Sequence, residues 1–256
     1  MKLSWLDPNA LPAFPDTHKA LSNPNGLLAA GGSLSPEWLL TAYNQGIFPW
    51  FNEGDPILWW TPSPRLVLYP HQFHISRNLR KILKRGDYRV SINKNFSAVI
   101  EACALPREQQ ADASSWITPV MFDAYEQLHH YGWAHSVEVW REQTLIGGLY
   151  GVALGKIFFG ESMFSKASNG SKIAIAHLVE WLKHWQYKLV DCQVHSDHLR
   201  RLGAIEIDRL TFEQILQQNA GISPAALCEK NNGDKPRSTW QKQDITLQSS
   251  HWVQNQ

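Results

Sequence analysis

Three strand-like stretches divided by two short turns lie between residues 135 and 164, and they constrain the fold more than any other feature of the chain. Residues 137–140 alternate in polarity, 145–152 follow a turn, and 157–164 follow a second turn at Gly155. This pattern predicts an antiparallel meander of three strands. A helix over about 172–185 and a further strand over 189–194 are predicted next. The expected class is therefore α+β.

The first 64 residues contain turn and helix-boundary signals that are typical of a small separate unit. Asn23-Pro24-Asn25-Gly26 is a turn signal, and Ser35-Pro36 begins a predicted helix that ends at Gly46. After about Gln217 the sequence becomes rich in Gln, Asn and Ser and loses its periodicity. We therefore expect a small N-terminal α/β domain over 1–64, a second domain over 65–218 and a loose polar tail over 219–256 in which a Trp docks onto the protein.

The composition excludes several classes of protein. The chain has 256 residues, 43% of them hydrophobic, which is enough for a buried core and excludes wholesale disorder. No apolar run approaches the roughly 20 residues of a membrane helix, and Asp7 and Pro8 come too early for a signal peptide. Three cysteines are too few for a disulfide framework. We expect a cytoplasmic monomer with no membrane partner.

A predicted helix between Ser76 and Gly86 carries two stripes of side chains. One stripe is apolar and includes Leu79 and Leu83. The other is entirely basic and consists of Arg77, Arg80, Lys81, Lys84 and Arg85. Like charges at this spacing repel each other, so the stripe suggests a polyanionic partner that supplies the opposite charge. A solvated basic face is the alternative.

Polar residues inside the apolar strands are the candidates for chemistry. A buried Asp191 would need hydrogen-bond partners, and on a regular strand it would share a face with Gln193, while Cys192 would point the other way. An acid and an amide on one face can position and deprotonate an amine. Glu161 is a further polar residue on the strand predicted before them. The alternative is that Asp191 is a structural carboxylate and Glu161 a strand-edge residue.

Metal and phosphate sites have weaker support in the sequence. Cys192, His195 and His198 have a spacing that a metal ion could use, but no second pair of ligands accompanies them. The chain contains no GxxxxGK[ST] motif and no GxGxxG motif after a strand. The loop 165–172, which contains hydroxyls and lysines before a predicted helix, suits an anion only weakly. Nothing in the sequence demands a metal or an organic cofactor.

Several motifs, taken in order, resemble the leucyl/phenylalanyl-tRNA–protein transferases over about residues 21–209. They are GIFPWF at 46–51, PILWW at 56–60, WIT at 116–118, HSVEVW at 135–140, GESMFS at 160–165 and DCQV at 191–194. The resemblance implies an enzyme that moves Leu or Phe, with Met as an additional candidate, from aminoacyl-tRNA to the N-terminal Arg or Lys of a protein. The new N-terminus would mark that protein for N-end-rule degradation. A GNAT-like (acetyltransferase-like) domain after a small N-terminal domain is also implied, with no cofactor.

The resemblance also assigns roles to residues of this chain. It implies that Asp191 and Gln193 are a catalytic pair, with Glu161 beside them. The implied pocket for the transferred side chain comprises Trp50, Trp116, Leu149, Phe158, Met163 and Leu178, and the basic stripe matches a tRNA-binding cluster. The family often has Met at position 149 and an aromatic residue at 178, its loop at 105–115 is usually shorter, and the tail beyond 219 has no counterpart. We expect Asp191 to polarise and orient Gln193, which holds the incoming amine, with the proton leaving through Asp191 or water.

Two other functions remain open from the sequence. One is a coenzyme A-dependent N-acetyltransferase of the same broad fold, although the Gln/Arg-x-x-Gly-x-Gly/Ala loop that binds pyrophosphate is absent. The other is a non-catalytic tRNA-binding module in which the basic helix is the whole function. That module would leave Asp191 and Gln193 without a role.

Overall fold

The computed structural model describes residues 3–105, 116–220, 240–248 and 250–254, and within these ranges it contains two β-sheets. The small sheet has the strand order β1-β2-β4-β3 and consists of β1 (Ser4–Leu6), β2 (Leu27–Gly31), β3 (Phe48–Pro49) and β4 (Leu58–Trp60). Helix α1 (Pro36–Asn44) connects β2 to β3. It begins with Pro36 in its first turn, and the chain leaves it through Gly46 at φ +74°, as predicted.

The large sheet has eight strands in the order β11-β5-β10-β9-β8-β7-β6-β12. Its strands are β5 (Arg65–Leu68), β6 (Arg89–Ile92), β7 (Ala134–Arg141), β8 (Thr144–Leu154), β9 (Ile157–Ser165), β10 (Leu189–Gln193), β11 (Ile205–Ile207) and β12 (Gln243–Asp244). The predicted meander is confirmed, because β7, β8 and β9 pair antiparallel in sequence order. Strands β9 and β10 pair in parallel, with α5 (Gly170–His184) as their crossover.

Helices cover both faces of the large sheet. Besides α1 and α5 they are α2 (Arg77–Arg85), α3 (Phe96–Ala104), α4 (Pro119–His130), α6 (Asp197–Arg200), α7 (Arg209–Asn219) and α8 (His251–Gln254). Along β8, Leu149 and Ala153 belong to the core formed with α2 and α5. Tyr150 and Val152, which point the other way, belong to the core formed with α3 and α4. The chain is therefore a mixed α+β protein, as expected.

The basic helix forms as the sequence predicts. Ser76 Oγ accepts a hydrogen bond from the backbone N–H of Leu79 at 3.2 Å, which satisfies one free donor at the start of α2. Gly86 ends the helix in the left-handed region at φ +65°. Leu79 and Leu83 are buried, so the apolar stripe faces the core.

The small and large sheets share a hydrophobic core. Leu39 and Tyr43 of α1 belong to the same buried cluster as Tyr150 and Phe159 of the large sheet. The change of sheet falls between β4 and β5, close to residue 64. The division into domains at that residue stays a prediction.

The expectation of a loose tail over 219–256 is wrong for the described part of that range. Strand β12 adds to the edge of β6, and Trp240 and Trp252 are only 1% and 2% exposed. A docked Trp was expected, and two are buried here. Isolated large aromatic residues bury much apolar surface without producing any periodicity, so the polarity pattern does not indicate the ordered packing around them. Residues 221–239 of the expected tail and 106–115 of the longer loop lie outside the described residues.

Among the described residues, no helix combines the length and the apolar character needed to cross a membrane.

Candidate active site

A cavity of about 1090 Å³ opens where the parallel strands β9 and β10 separate. Their paired register ends at Phe159 and Asp191. Beyond this point each strand has a bulge: Glu161 is the extra residue of β9 opposite β8, and Cys192 is the extra residue of β10 opposite β5. Bulges redirect side chains. In the gap Gln193 Nε2 donates a hydrogen bond to Glu161 Oε1 at 3.0 Å.

All six side chains that the sequence analysis assigned to a pocket line this one cavity. Three of them, Leu149, Phe158 and Leu178, are buried, and Trp50 is 44% exposed. The complete set is Trp50, Trp116, Leu149, Phe158, Met163 and Leu178. Further apolar lining residues, which the sequence analysis missed, are Ile175, Val190 and Phe164. The cavity wall is therefore largely apolar where these residues meet, and their role in binding an aminoacyl side chain stays a prediction.

Glu161 is held by two tyrosines from distant helices. Tyr43 of α1 donates to Oε1 at 2.8 Å, and Tyr125 of α4 donates to Oε2 at 2.8 Å. The two tyrosine oxygens lie 2.5 Å apart. Burial raises the pKa of Glu161 to about 7, although both tyrosine hydrogen bonds and Arg65 favour the ionised form. Burial also raises the pKa of both tyrosines well above the ordinary value, so they remain donors.

Asp191 forms a buried ion pair with Arg65. Its two carboxylate oxygens accept from Arg65 Nε at 2.8 Å and Nη2 at 2.6 Å, and the side chains of both residues are at most 1% exposed. The guanidinium lies between the rings of Phe48 and Phe212, at 4.8 and 4.6 Å from their centroids. Asp191 Oδ1 also accepts the backbone N–H of Gln193 at 2.9 Å. Gln193 has a left-handed φ of +63°, a conformation that this hydrogen bond supports.

The structure corrects one expectation about this strand and specifies another. Regular alternation fails because of the bulge, so that Cys192 lines the same cavity as Asp191 and Gln193 instead of pointing away from it. Asp191 does contact Gln193, but through the backbone rather than through the side-chain amide. Asp191 holds the backbone N–H, and Glu161 holds the amide. The sequence offered no signal for Arg65, Tyr43 or Tyr125, because each belongs to an element that is far from Asp191 and Glu161 in the sequence and meets them only in the folded protein.

The alternative metal site is not assembled. The described residues contain no group of three or more His, Cys, Asp or Glu side chains placed to hold a metal ion. His195 contacts two surface acids instead, Glu206 through Nδ1 at 2.7 Å and Asp197 through Nε2 at 3.3 Å. Burial raises the pKa of the Cys192 thiol, which opposes its use as a thiolate ligand.

The basic stripe lies outside the cavity but is connected to its rim. Arg77, Lys81, Lys84 and Arg85 are exposed and Arg80 is half-buried. Arg85 forms an exposed ion pair with Asp87 at 3.0 Å.

The connection to the rim runs through the segment before α2. The backbone N–H of His74 donates to the carbonyl of Leu202 at 2.8 Å. Leu202 follows α6, which contributes His198 and Leu199 to the cavity lining. Gly203, at φ +101°, permits this close approach, since a Cβ there would lie 2.4 Å from the carbonyl oxygen of Gln72.

Comparisons with known proteins agree along most of the chain. Residues 32–63 match the family model described as the leucyl/phenylalanyl-tRNA protein transferase N-terminal domain, and residues 67–217 match the model described as leucyl/phenylalanyl-tRNA protein transferase. A protein of that name from Cellvibrio japonicus is 56% identical over 214 residues, which cover 84% of this chain and 90% of that protein. Another from Nitrosospira multiformis is 53% identical over 216 residues, which cover 84% and 91%.

A weaker likeness exists among solved structures. The structure of L-PGS from Bacillus licheniformis matches with a TM-score of 0.37 and 11% identity, covering 59% of this chain and 48% of that chain. A likeness at this level supports no argument about fold or activity.

Proposed function

The chain belongs to the leucyl/phenylalanyl-tRNA–protein transferase family, and on that premise we propose that it moves Leu or Phe from aminoacyl-tRNA to the N-terminal Arg or Lys of an acceptor protein. The bond formed is a peptide bond, and the bond broken is the ester that links the amino acid to the tRNA. The longer N-terminus marks the acceptor for degradation. We propose that the enzyme acts as a cytoplasmic monomer, as the sequence analysis expects.

We propose that the large sheet is acetyltransferase-like. The order of a meander, a crossover helix and a parallel strand supports this, as does the position of the cavity at the gap between β9 and β10.

The apolar part of the cavity is suited to the transferred side chain. Leu149, Phe158 and Leu178 are at most 3% exposed, so this part of the cavity wall offers a Leu or Phe side chain an apolar surface shielded from bulk water. Such burial stabilises the bound donor by roughly 1.5–3 kcal/mol. The pocket has room for a Met side chain of similar length, whereas β-branched side chains are excluded by shape rather than by polarity.

Glu161 and Gln193 are the groups we assign to the amine. The donor ester is already activated, so the enzyme needs proximity and a neutral amine. An α-amino group has an ordinary pKa of about 8, and the pKa of Glu161 is raised to about 7. Proton transfer between groups one pKa unit apart costs only about 1.4 kcal/mol. Because Glu161 occupies Gln193 Nε2, the amide oxygen of Gln193 is the atom that accepts an N–H of the incoming amine.

Asp191 acts through Gln193 in this proposal. Both of its oxygens are occupied by Arg65, and the carboxylate has no exposed surface, so an incoming amine does not reach it. Its bond to the backbone N–H of Gln193 supports the left-handed conformation that turns the amide toward Glu161. Asp191 and Arg65 are therefore positioning residues. The basic stripe of α2, next to the segment that contacts the cavity rim, is proposed to bind the phosphates of the tRNA.

One observation carries the proposal: a titratable carboxyl and an amide are hydrogen-bonded to each other in the lining of the cavity that the six apolar pocket residues also line. The test is transfer of labelled leucine from leucyl-tRNA to two peptides that begin with Arg and with Ala. We expect label on the Arg peptide alone. Glu161→Gln and Gln193→Ala should each lower kcat by about 10²–10⁴-fold.

Glu206→Gln is the matched control, because it also removes a hydrogen-bonded carboxyl but lies at the surface beside His195. It should leave kcat unchanged. Binding of charged tRNA with no labelling of either peptide would overturn the proposal in favour of a tRNA-binding module. Acetyl transfer from acetyl-coenzyme A would overturn it in favour of an acetyltransferase.

A further inference from the structure

The C-terminal strap, defined as residues 240–248, is built into the fold although it lies outside the residues that match the family models. Its strand β12 pairs antiparallel with β6, with Gln243 opposite Ile92 and Asp244 opposite Ser91. The backbone N–H of Ile245 donates to the carbonyl of Val90 at 2.8 Å. The strap therefore covers the edge of the large sheet with a regular ladder.

The strap is also fixed to α5. Trp181 Nε1 donates to the carbonyl of Ile245 at 2.9 Å, and the backbone N–H of Leu247 donates to His177 Nδ1 at 3.2 Å. Burial lowers the pKa of His177 to about 4, so the ring is neutral at neutral pH and one of its nitrogens is free to accept. These bonds hold the strap in a single register.

Trp240 begins the strap and is anchored at both its backbone and its ring. Its carbonyl accepts from Asn93 Nδ2 at 2.6 Å, and its Nε1 donates to Tyr187 Oη at 2.8 Å. The ring stacks on His135, with centroids 4.3 Å apart and planes at 11°. Trp240 is 1% exposed, so the indole is a rigid part of the interior.

A second ring contact of Trp240 reaches the cavity wall. Its ring stacks on Phe158 with centroids 5.5 Å apart and planes at 19°, and Phe158 lines the cavity. On another side the Phe158 ring lies against the backbone at Gly151, where a Cβ would come within 2.6 Å of its Cζ. Phe158 is therefore confined between β8 and an indole that lies behind the wall.

We propose that Trp240 is a specificity-determining residue that acts through Phe158 and makes the C-terminal strap part of the donor pocket. This inference rests on the proposed function, since it assumes that the cavity takes the transferred side chain. With Trp240 in place Phe158 cannot retreat, and the depth of the pocket is fixed. Without it Phe158 gains room to move away from the cavity, and the pocket becomes deeper on that side.

The test compares Trp240→Ala with Trp252→Ala. Trp252 lies in the same tail, is equally buried at 2% exposure and packs on His177 of α5 at 5.2 Å. Both changes remove one buried indole, so both should lower the melting temperature, and all assays are run below both transitions. We expect Trp240→Ala to raise the ratio of kcat/KM for phenylalanyl-tRNA over leucyl-tRNA by about tenfold, the scale of a small change in an apolar pocket. Trp252→Ala should leave that ratio unchanged.

Trp240→Phe keeps a stacked ring of smaller area and should shift the kcat/KM ratio by only about threefold. This milder variant tests the inference if Trp240→Ala does not fold. An unchanged ratio in both Trp240 variants, or an equal shift in Trp252→Ala, would overturn the inference. The ratio of Kd values for the two charged tRNAs is measured in parallel. If the enzyme shows no transfer activity but Trp240→Ala still shifts this Kd ratio, the proposed reaction is contradicted while the inference about Trp240 is supported.

Discussion

The buried pair of Asp191 and Arg65 permits a test that separates positioning from proton transfer. Asp191→Asn leaves the guanidinium of Arg65, which is 1% exposed, without a counter-charge. Removing one partner of a buried ion pair costs about 3–5 kcal/mol. The introduced amide oxygen can still accept the backbone N–H of Gln193. We therefore expect a loss of about 3 kcal/mol in the free energy of unfolding, at the lower end of that range.

A second change removes the unpaired charge. Arg65→Met places an unbranched apolar side chain between Phe48 and Phe212, where the guanidinium lies now. Replacing a buried ion pair with neutral groups of similar size is often neutral or stabilising. The double variant Arg65→Met with Asp191→Asn should therefore recover most of the stability that the single Asp191→Asn change loses.

Urea unfolding followed by tryptophan fluorescence measures the stability of each variant, and labelled-leucine transfer measures kcat. If Asp191 only positions the backbone of Gln193, the double variant should keep kcat within about tenfold of the wild type, since a general base would contribute about 10²–10⁴-fold. A double variant that is stable but has lost more than about 100-fold in kcat would refute this reasoning. Asp191 would then be the proton acceptor, which is one of the two routes, Asp191 or water, that the sequence analysis left open.

Two further predictions concern the charge of other groups. The pKa of Glu161 is raised from 4.5 to about 7 in the folded protein, so the folded state binds this proton more tightly than the unfolded chain. The stability that comes from this proton is therefore lost as the pH rises from about 4.5 to 7. In urea titrations the difference in unfolding free energy between wild type and Glu161→Gln should change by about 3 kcal/mol across that window, and a constant difference would contradict the prediction. Reversing Arg80 and Lys84 to Glu should weaken tRNA binding by at least about tenfold and reduce the slope of log K against log salt concentration by more than about one, as measured by filter binding. Reversing the exposed Lys188 to Glu is the control and should change neither quantity. An unchanged slope in the double variant would mean that the basic stripe is only a solvated face.

The local elements of this protein could be predicted because their signals lie within a few neighbouring residues. Ser76, the apolar stripe and Gly86 specify α2 within 11 positions, and the helix forms between them. The meander follows from alternation and two turns. The apolar lining was implied by the family resemblance rather than by these local signals, and all six of the implied pocket residues line one cavity.

The partners of the polar site residues could not be predicted, because they depend on register and on contacts between distant elements. A single extra residue in β9 and another in β10 reverse the alternation that the sequence suggests. As a result Glu161, rather than Asp191, holds the amide of Gln193. The tail was misjudged for a related reason, since Trp240 and Trp252 stabilise it through contacts with residues more than 50 positions away.

The sequence by itself determined which elements form and which side chains are available to the site, because capping, turns and polarity alternation act over short distances. Only the tertiary structure decided which partners each carboxyl group has. Arg65, 126 residues from Asp191, forms an ion pair with that carboxylate, whereas Tyr43 and Tyr125 donate to Glu161, whose pKa is raised by desolvation to about 7. Both carboxyl groups lie on apolar strands and look alike in the sequence; desolvation and the distance to a counter-charge give them different roles.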